Sequence, residues 1–291
     1  MFFLVFFFAN RFIFKETEKK ALRFSKIKFK DENLRKSGVI SLRVIALLFV
    51  ALLVLASCRP HSTSMGGDNI RPEDNLPTRL TQEEDKIATF ENGYPEGFWA
   101  RNDRGNGHPF NCSFARSNAL VANGLLTLSL TESEGKFVGA EYRTVNKFSY
   151  GYYSVSMKAA KCPGVISSFF TYTGWPWDEI DIEFLGDDTT RVQFNYYTNG
   201  SGGHEYVYNL GFDASEDFHE YGFDWQPNSI TWYVDGKPIY RATDSIPATA
   251  GHIMMNLWNV ADTNADWAGK FDAEKLPVTA QYQWIGYKSA E

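Results

Sequence analysis

Glu179, Asp181 and Glu183 occupy alternate positions in WDEIDIEFLG, the segment from Trp177 to Gly186, and Ile180, Ile182 and Phe184 fill the places between and after them. Successive side chains of an extended strand point to opposite faces, so the carboxylates share one face and the apolar groups the other. Alternation by itself marks any half-buried strand with a wet polar side. Three like charges on one face add a cost, because repulsion raises at least one pKa. That cost is tolerated chiefly where a proton must be held ready. The chemistry such a set suits is acid–base work by carboxyl groups.

The surrounding elements read as strands that would extend this face. LLTLSL from Leu125, YYSVSMKA from Tyr152, SSFFTYT from Ser167, VQFNYYTN from Val192 and ITWYVDGKPIY from Ile230 are short alternating runs separated by Gly, Asn, Asp and Pro. Asp235-Gly236 supplies a two-residue hairpin turn, and Pro238 places the strand after it on an edge. About two hundred residues of this kind, with no internal repeat, predict an all-β sandwich. Parity is informative. Gln193, Asn195 and Tyr197 oppose Val192, Phe194 and Tyr196. Asn256 and Trp258 oppose Ile253, Met255 and Leu257, while Ser168, Phe170 and Tyr172 oppose Phe169 and Thr171. Faces of amides, carboxylates and flat rings suit a carbohydrate cleft, where rings stack on sugar faces and planar groups bond hydroxyls.

Composition bounds the rest. A chain of 291 residues with 44% hydrophobic and 16% aromatic content can bury a sizeable core. Up to Cys58 there are 11 basic and 4 acidic residues; beyond it 18 basic and 31 acidic residues leave a net charge of −13. A domain that acidic is a poor partner for nucleic acid or an anionic membrane surface. The run VIALLFVALLVLAS, from Val44 to Ser57, is too short to span a bilayer comfortably and reads as a signal-peptide core. Its continuation, Leu55 to Cys58 (LASC), resembles the lipobox of bacterial lipoproteins. That resemblance implies acylation of Cys58 and an exported protein anchored by lipid to a bacterial membrane, on the cell surface or periplasmic side. Residues 1–38 are expected to be a misassigned start or an extended leader, 39–58 the lipoprotein signal peptide, 59–87 a flexible tether and 88–291 the catalytic domain. The five histidines form no H-E-x-x-H pair, and neither C-x-x-C, G-x-S-x-G nor a phosphate-binding glycine loop occurs. No metal site and no organic cofactor is implied.

From roughly Phe90 to Tyr287, with dense agreement in SSFFTYTG, WDEIDIEFLGDDTTRVQFNYYTNG, YGFDWQPNSITWYVDG and IMMNLWN, the sequence is similar to the bacterial lichenases, endo-β-1,3-1,4-glucanases of glycoside hydrolase family 16. The resemblance implies a concanavalin-like β-jelly roll with a concave substrate cleft. It also implies that Glu179 is the nucleophile, Glu183 the general acid/base, and Asp181 the carboxylate that tunes them. As glucan contacts it implies Asn111, Glu141, Arg143, Phe170, Tyr172, Trp177, Gln193, Asn195, Tyr197, Asn256, Trp258 and Trp267. Glu141 and Arg143 share parity, as a cleft pair should. The implied activity is retaining endo-hydrolysis of β-1,4 linkages in mixed-linkage β-1,3-1,4-glucan by double displacement, in a monomer. Retaining carboxyls lie roughly 5–5.5 Å apart, whereas Cα atoms four residues apart on an ideal strand are ~13 Å apart. The two glutamates must therefore lean together.

The sequence departs from the family pattern in three places. The family partner of Cys112 is replaced by Gly139, which leaves Cys162 as an open alternative. The loop TGWPWDE is about four residues shorter than is common in lichenases and carries an additional Trp175. Gln283 stands where an aspartate often serves a structural calcium, so calcium is possible but not expected. Two other readings share these features: a related glucanase or xyloglucan transglycosylase/hydrolase on the same fold, and a non-catalytic glucan-binding surface lipoprotein.

Overall fold

The computed structural model describes residues 85–103 and 105–290. The expected leader, signal peptide, Cys58 and most of the tether lie outside them. The tether expectation needs one correction, because the first strand begins at Lys86 and the domain starts before Ala88. Lys86 and Ala88 pair with Gly286 and Ile285, so these residues have a fixed sheet partner.

Alternating sequence becomes strand almost throughout. In chain order the strands are β1 (Lys86–Thr89), β2 (Phe98–Ala100), β3 (Ser113–Phe114), β4 (Ala119–Ala122), β5 (Leu125–Ser133), β6 (Lys136–Thr144), β7 (Gly151–Lys158) and β8 (Val165–Tyr172). They continue with β9 (Glu179–Leu185), β10 (Arg191–Tyr197), β11 (Tyr206–Asn209), β12 (His219–Gln226), β13 (Ser229–Val234), β14 (Lys237–Ala242), β15 (His252–Asn259) and β16 (Val278–Ser289). Neighbouring strands run β11-β10-β9-β8-β15-β6-β5-β16-β7-β12-β13-β14. This all-β jelly roll folds one half of that path over the other, with the β5–β6 hairpin joining the two layers. Asp235 and Gly236 both have positive φ, as a tight two-residue turn requires, and β14 with Pro238 is the last strand of the path. Among the described residues no helix is long and apolar enough to cross a membrane.

The interior lies between the layers. Ile180, Ile182 and Phe184 of β9 are buried with Phe169, Phe194, Ile253, Met255 and Leu257 from neighbouring strands, against Tyr153, Val155, Tyr221, Phe223, Trp232 and Tyr282 of the opposite layer. Aromatic pairs bridge the layers: Phe184 on Tyr221 at 4.8 Å, Phe194 on Trp232 at 5.7 Å and Phe169 on Phe223 at 6.1 Å between ring centroids. Two polar contacts cross as well. The Trp232 indole N–H donates to the Asp181 carbonyl at 3.1 Å, and the Tyr282 hydroxyl donates to the Ser168 carbonyl at 3.0 Å. The back layer thus grips the carboxylate strand and its neighbour from behind.

Cys112 and Cys162 are both free thiols. A Cβ at Gly139 would stand 3.0 Å from Cys112 Sγ and 2.3 Å from the Leu257 carbonyl oxygen. At this close approach of β6 to β15 a glycine lets the backbones meet where a side chain would force them apart. Gln283 accepts a hydrogen bond from Ser156 at 2.7 Å.

Trp232 is fully buried and its indole donor has one partner. We expect Trp232→Phe to cost about 1–3 kcal/mol through the lost bond and the residual void. At about 2–4 °C per kcal/mol for a domain of this size, the melting temperature should fall by several degrees. An unchanged melting temperature in a thermal scan would show that the grip from behind carries no weight.

Candidate active site

The pairing register turns the sequence parity into three rows of side chains that cross the front layer at right angles to the strands. One row runs Val207, Gln193, Glu183, Ser168, Asn256 and Glu141. The next runs Asn195, Asp181, Phe170, Met254, Arg143 and Trp99. The third holds Tyr197, Glu179, Tyr172 and His252. Directly opposite residues of an antiparallel pair project to the same side. Nine of the residues expected from the resemblance as substrate contacts or catalytic carboxylates therefore share a face with Glu179 and Glu183: Glu141, Arg143, Phe170, Tyr172, Asp181, Gln193, Asn195, Tyr197 and Asn256.

The three carboxyls sit in a desolvated cluster. Burial is the first cause of every shift: it raises Glu179 to about 8 and Glu183 to about 7, and lifts Asp181 well above the usual carboxylate range. Repulsion from Glu183 adds to the rise at Glu179, and repulsion from both glutamates to that at Asp181. Near neutral pH the cluster holds protons, and its titrations belong to the group. Hydrogen bonds moderate these rises unequally. Asp181 is bonded to Glu179 in the sense that raises Asp181 and lowers Glu179, so Asp181 donates and Glu179 accepts. The Trp177 indole N–H also donates to Glu179 Oε2. Glu183 receives one donor, Gln193 Nε2 at 2.9 Å. These donors oppose the rise without reversing its order: burial leaves Glu179, at about 8, above Glu183, at about 7, in the free protein.

Local supports explain this arrangement. Trp177 stacks on Tyr197 at 4.7 Å and 14°, which fixes the indole that reaches Glu179. Trp267, from the one-turn helix Ala265–Ala268, donates its indole N–H to Gln193 Oε1 at 3.2 Å. That contact fixes which end of the Gln193 amide faces Glu183.

Other expected residues are placed differently. Glu141 does not pair with Arg143: its partner is Arg101, at 3.1 Å. The Arg143 guanidinium instead lies over the Trp99 ring at 4.3 Å, because β2 brings Trp99 directly opposite it. Glu141 Oε1 and Arg143 Nε are buried and make no hydrogen bond among the described residues. Trp258 is 4% exposed, covered by Phe110 at 3.8 Å, and belongs to a small apolar cluster beside the rows. It supports the groove more than it offers an open platform. Asn111 is exposed, and its backbone N–H bonds the Asn259 carbonyl at 2.9 Å.

Sequence reasoning missed Trp99, Arg101, His252, Met254 and Glu205. Glu205 adds charge to the cluster, raising Asp181 and Glu183. Arg101 gave no signal because its partner lies forty residues away. Met254 and His252 were legible, since they share the parity of Asn256 and Trp258.

Residues 106–285 match the model of glycosyl hydrolases family 16. The chain is 52% identical over 203 residues to a beta-glucanase of Bacillus subtilis (strain 168), covering 67% of this chain and 83% of the relative. It is 49% identical over 226 residues to a xylanase/beta-glucanase of Ruminococcus flavefaciens, covering 73% of this chain and 28% of that much longer protein. The crystal structure of a prokaryotic beta-1,3-1,4-glucanase (lichenase) derived from a mouse hindgut metagenome superposes with a TM-score of 0.66 at 51% identity, over 70% of this chain and 98% of that one.

The raised Glu183 gives a stability test with a defined sign. An unfolded glutamate ionises near 4.5, whereas the folded one holds its proton to about 7. Between those values the unfolded chain has released a proton that the native protein keeps, so native stability falls as pH rises through the window and levels off above it. Glutamine cannot ionise. We expect Glu183→Gln to match the parent's unfolding free energy at pH 4 and to exceed it above pH 7 by on the order of 1–3 kcal/mol, read from denaturant unfolding at each pH. A gain that does not depend on pH would remove the proton from the account.

Proposed function

The chain belongs to glycosyl hydrolases family 16, and on that premise we propose that it is a retaining endo-glycosidase that hydrolyses β-1,4 linkages in mixed-linkage β-1,3-1,4-glucan. The observation that carries the reading is the carboxyl cluster: one face of one strand presents Glu179, bonded by Trp177, and Glu183, bonded by Gln193, in a buried group that holds protons near neutral pH. The beta-glucanase relatives and the lichenase structure support the substrate.

The chemistry follows from the geometry. Glu179, ionised and steadied by Trp177 and Asp181, attacks the anomeric carbon. As that C–O bond forms, the glycosidic C–O bond breaks and its oxygen takes the proton of Glu183. Glu183, now a carboxylate held by Gln193, removes a proton from water as the water displaces Glu179 from the glycosyl ester. Asp181 returns charge balance by sharing its proton with Glu179 whenever Glu179 is free. Side chains in the three rows bind and orient the chain.

We also propose that the enzyme is exported and held to a bacterial membrane by acyl groups on Cys58. The support is the LASC sequence after an apolar core, and more than one acyl chain would make the anchor stable.

With barley glucan as substrate, proton NMR should show the β anomer at the new reducing end first. Glu179→Ala should lower turnover on the order of 10⁴-fold or more, and laminarin and xyloglucan should remain uncut. Initial release of the α anomer would rule out double displacement. For the anchor, Cys58→Ala should lose fatty-acid labelling and leave the membrane fraction; labelling that persists would refute it.

A further inference from the structure

A buried patch lies on the outer side of the back layer, away from both the groove and the interior. Tyr153, Val155 and Met157 of β7 and Trp232 and Val234 of β13 belong to the interior, so Tyr152, Ser154 and Tyr233 point away from it. An antiparallel layer that packs on one face ordinarily meets solvent on the other. Tyr152 and Tyr233 are nevertheless each 2% exposed, and Ser154 is fully covered. The two rings meet edge to face at 5.6 Å, and the Tyr152 hydroxyl donates to Glu220 Oε1 at 3.2 Å. Such a contact shields one side of each ring. Ser154 has less help from its neighbours, because the residues directly opposite it are Gly222 and Gly286.

The chain itself arrives at this face. The described residues begin at Asp85, whose carboxylate pairs with Lys288 at 3.5 Å, and Lys288 stands directly opposite Tyr152. Lys86 stands opposite Gly286 and lays its ammonium over the Trp284 ring at 5.4 Å. The chain that precedes Asp85 therefore reaches the domain at the end of the row Gly286, Ser154, Gly222 and Tyr233. From β16 to β14 the layer is four strand spacings wide, or ~19 Å. About six extended residues span that distance, and residues 61–84 supply 24. Ile70, Leu76 and Leu80 give the stretch apolar groups to set against the two rings, and Pro72 and Pro77 suit a segment that joins no ladder.

We propose that the outer side of the back layer is the docking surface for residues 61–84 of this same chain, whose apolar side chains cover Tyr152, Ser154 and Tyr233. The stretch then serves as a cover for the sandwich in place of a free tether. Because it docks behind the groove, the carboxylate face stays open to substrate. Nothing in the inference depends on which glycan is cut.

Hydrogen exchange on the full chain tests this. Backbone amides between Ile70 and Glu84 should exchange about tenfold or more slower than those of an unstructured peptide of the same sequence. Leu76→Asp combined with Leu80→Asp should abolish that protection and lower the melting temperature by several degrees, with turnover of barley glucan unchanged. Tyr233→Ala should then cost less in the double variant than in the parent, because the cover it would lose is already gone. Exchange at the unstructured rate in the parent, or losses that simply add, would overturn the proposal. Protection of the face that survives the double variant and grows with protein concentration would assign it to a second copy of the chain and overturn the proposal as well.

Discussion

The register of β9 is the constraint on which everything else depends. Side chains in a strand alternate with a period of two, so a slip of one residue against β8 and β10 would carry three carboxyls into the core and three large apolar groups into water. The core opposes that slip: Ile180, Ile182 and Phe184 are packed among rings from both layers, and their exchange for carboxylates would cost many kcal/mol in transfer and desolvation. The acids face the groove because their neighbours cannot. Trp232 adds a directional lock, since its indole meets the carbonyl of Asp181, the central residue of the acidic row. Burial behind the sheet thus defines geometry in front of it.

Holding three carboxyls on a desolvated face destabilises the native state above neutral pH, and the structure limits that cost in a selective way. Donors are unequally distributed: two reach Glu179 and one reaches Glu183. The inequality gives two groups that begin with the same chemistry different settings: Glu179 accepts from an indole and from Asp181, and Glu183 from a single amide. Each donor is itself held. Trp177 lies flat on Tyr197, and Gln193 has its amide orientation set by Trp267. An amide free to turn would offer Glu183 an oxygen as often as an N–H, and repulsion would replace support.

Much of this was legible in the sequence for one physical reason: strand side chains obey parity, and parity survives folding. Gln193, Asn195 and Tyr197 met Glu183, Asp181 and Glu179 pair for pair because the strands are adjacent and antiparallel. Asp235-Gly236 and Pro238 were readable because turn and edge chemistry are local. What failed was non-local. Glu141 and Arg143 share parity and still do not pair, since β2 inserts Trp99 beside Arg143 and Arg101 beside Glu141. Trp258 has the right parity and is nevertheless covered by Phe110, from a loop whose course no periodicity records. Parity assigns a face and says nothing of what folds over it.

The loop that enters β9 shows how such coverage can serve a site. Asp178, next to Glu179 in the chain, is 4% exposed and makes no ion pair among the described residues. Its carboxylate instead accepts backbone N–H groups from Asn199 at 2.8 Å, Ala248 at 3.1 Å and Thr249 at 3.0 Å. These donors hold its pKa below the ordinary value even though burial pushes the other way. One anion thereby ties the entrance to β9 to the turn after β10 and the segment before β15. Backbone donors cannot swing away as a lysine could, so the tie fixes position as well as charge. Because Trp177 and Glu179 flank Asp178 in the chain, their placement follows from bonds made by the residue between them. The shortened loop around Trp175 can vary in length and sequence without moving the nucleophile, provided that this buried anchor remains.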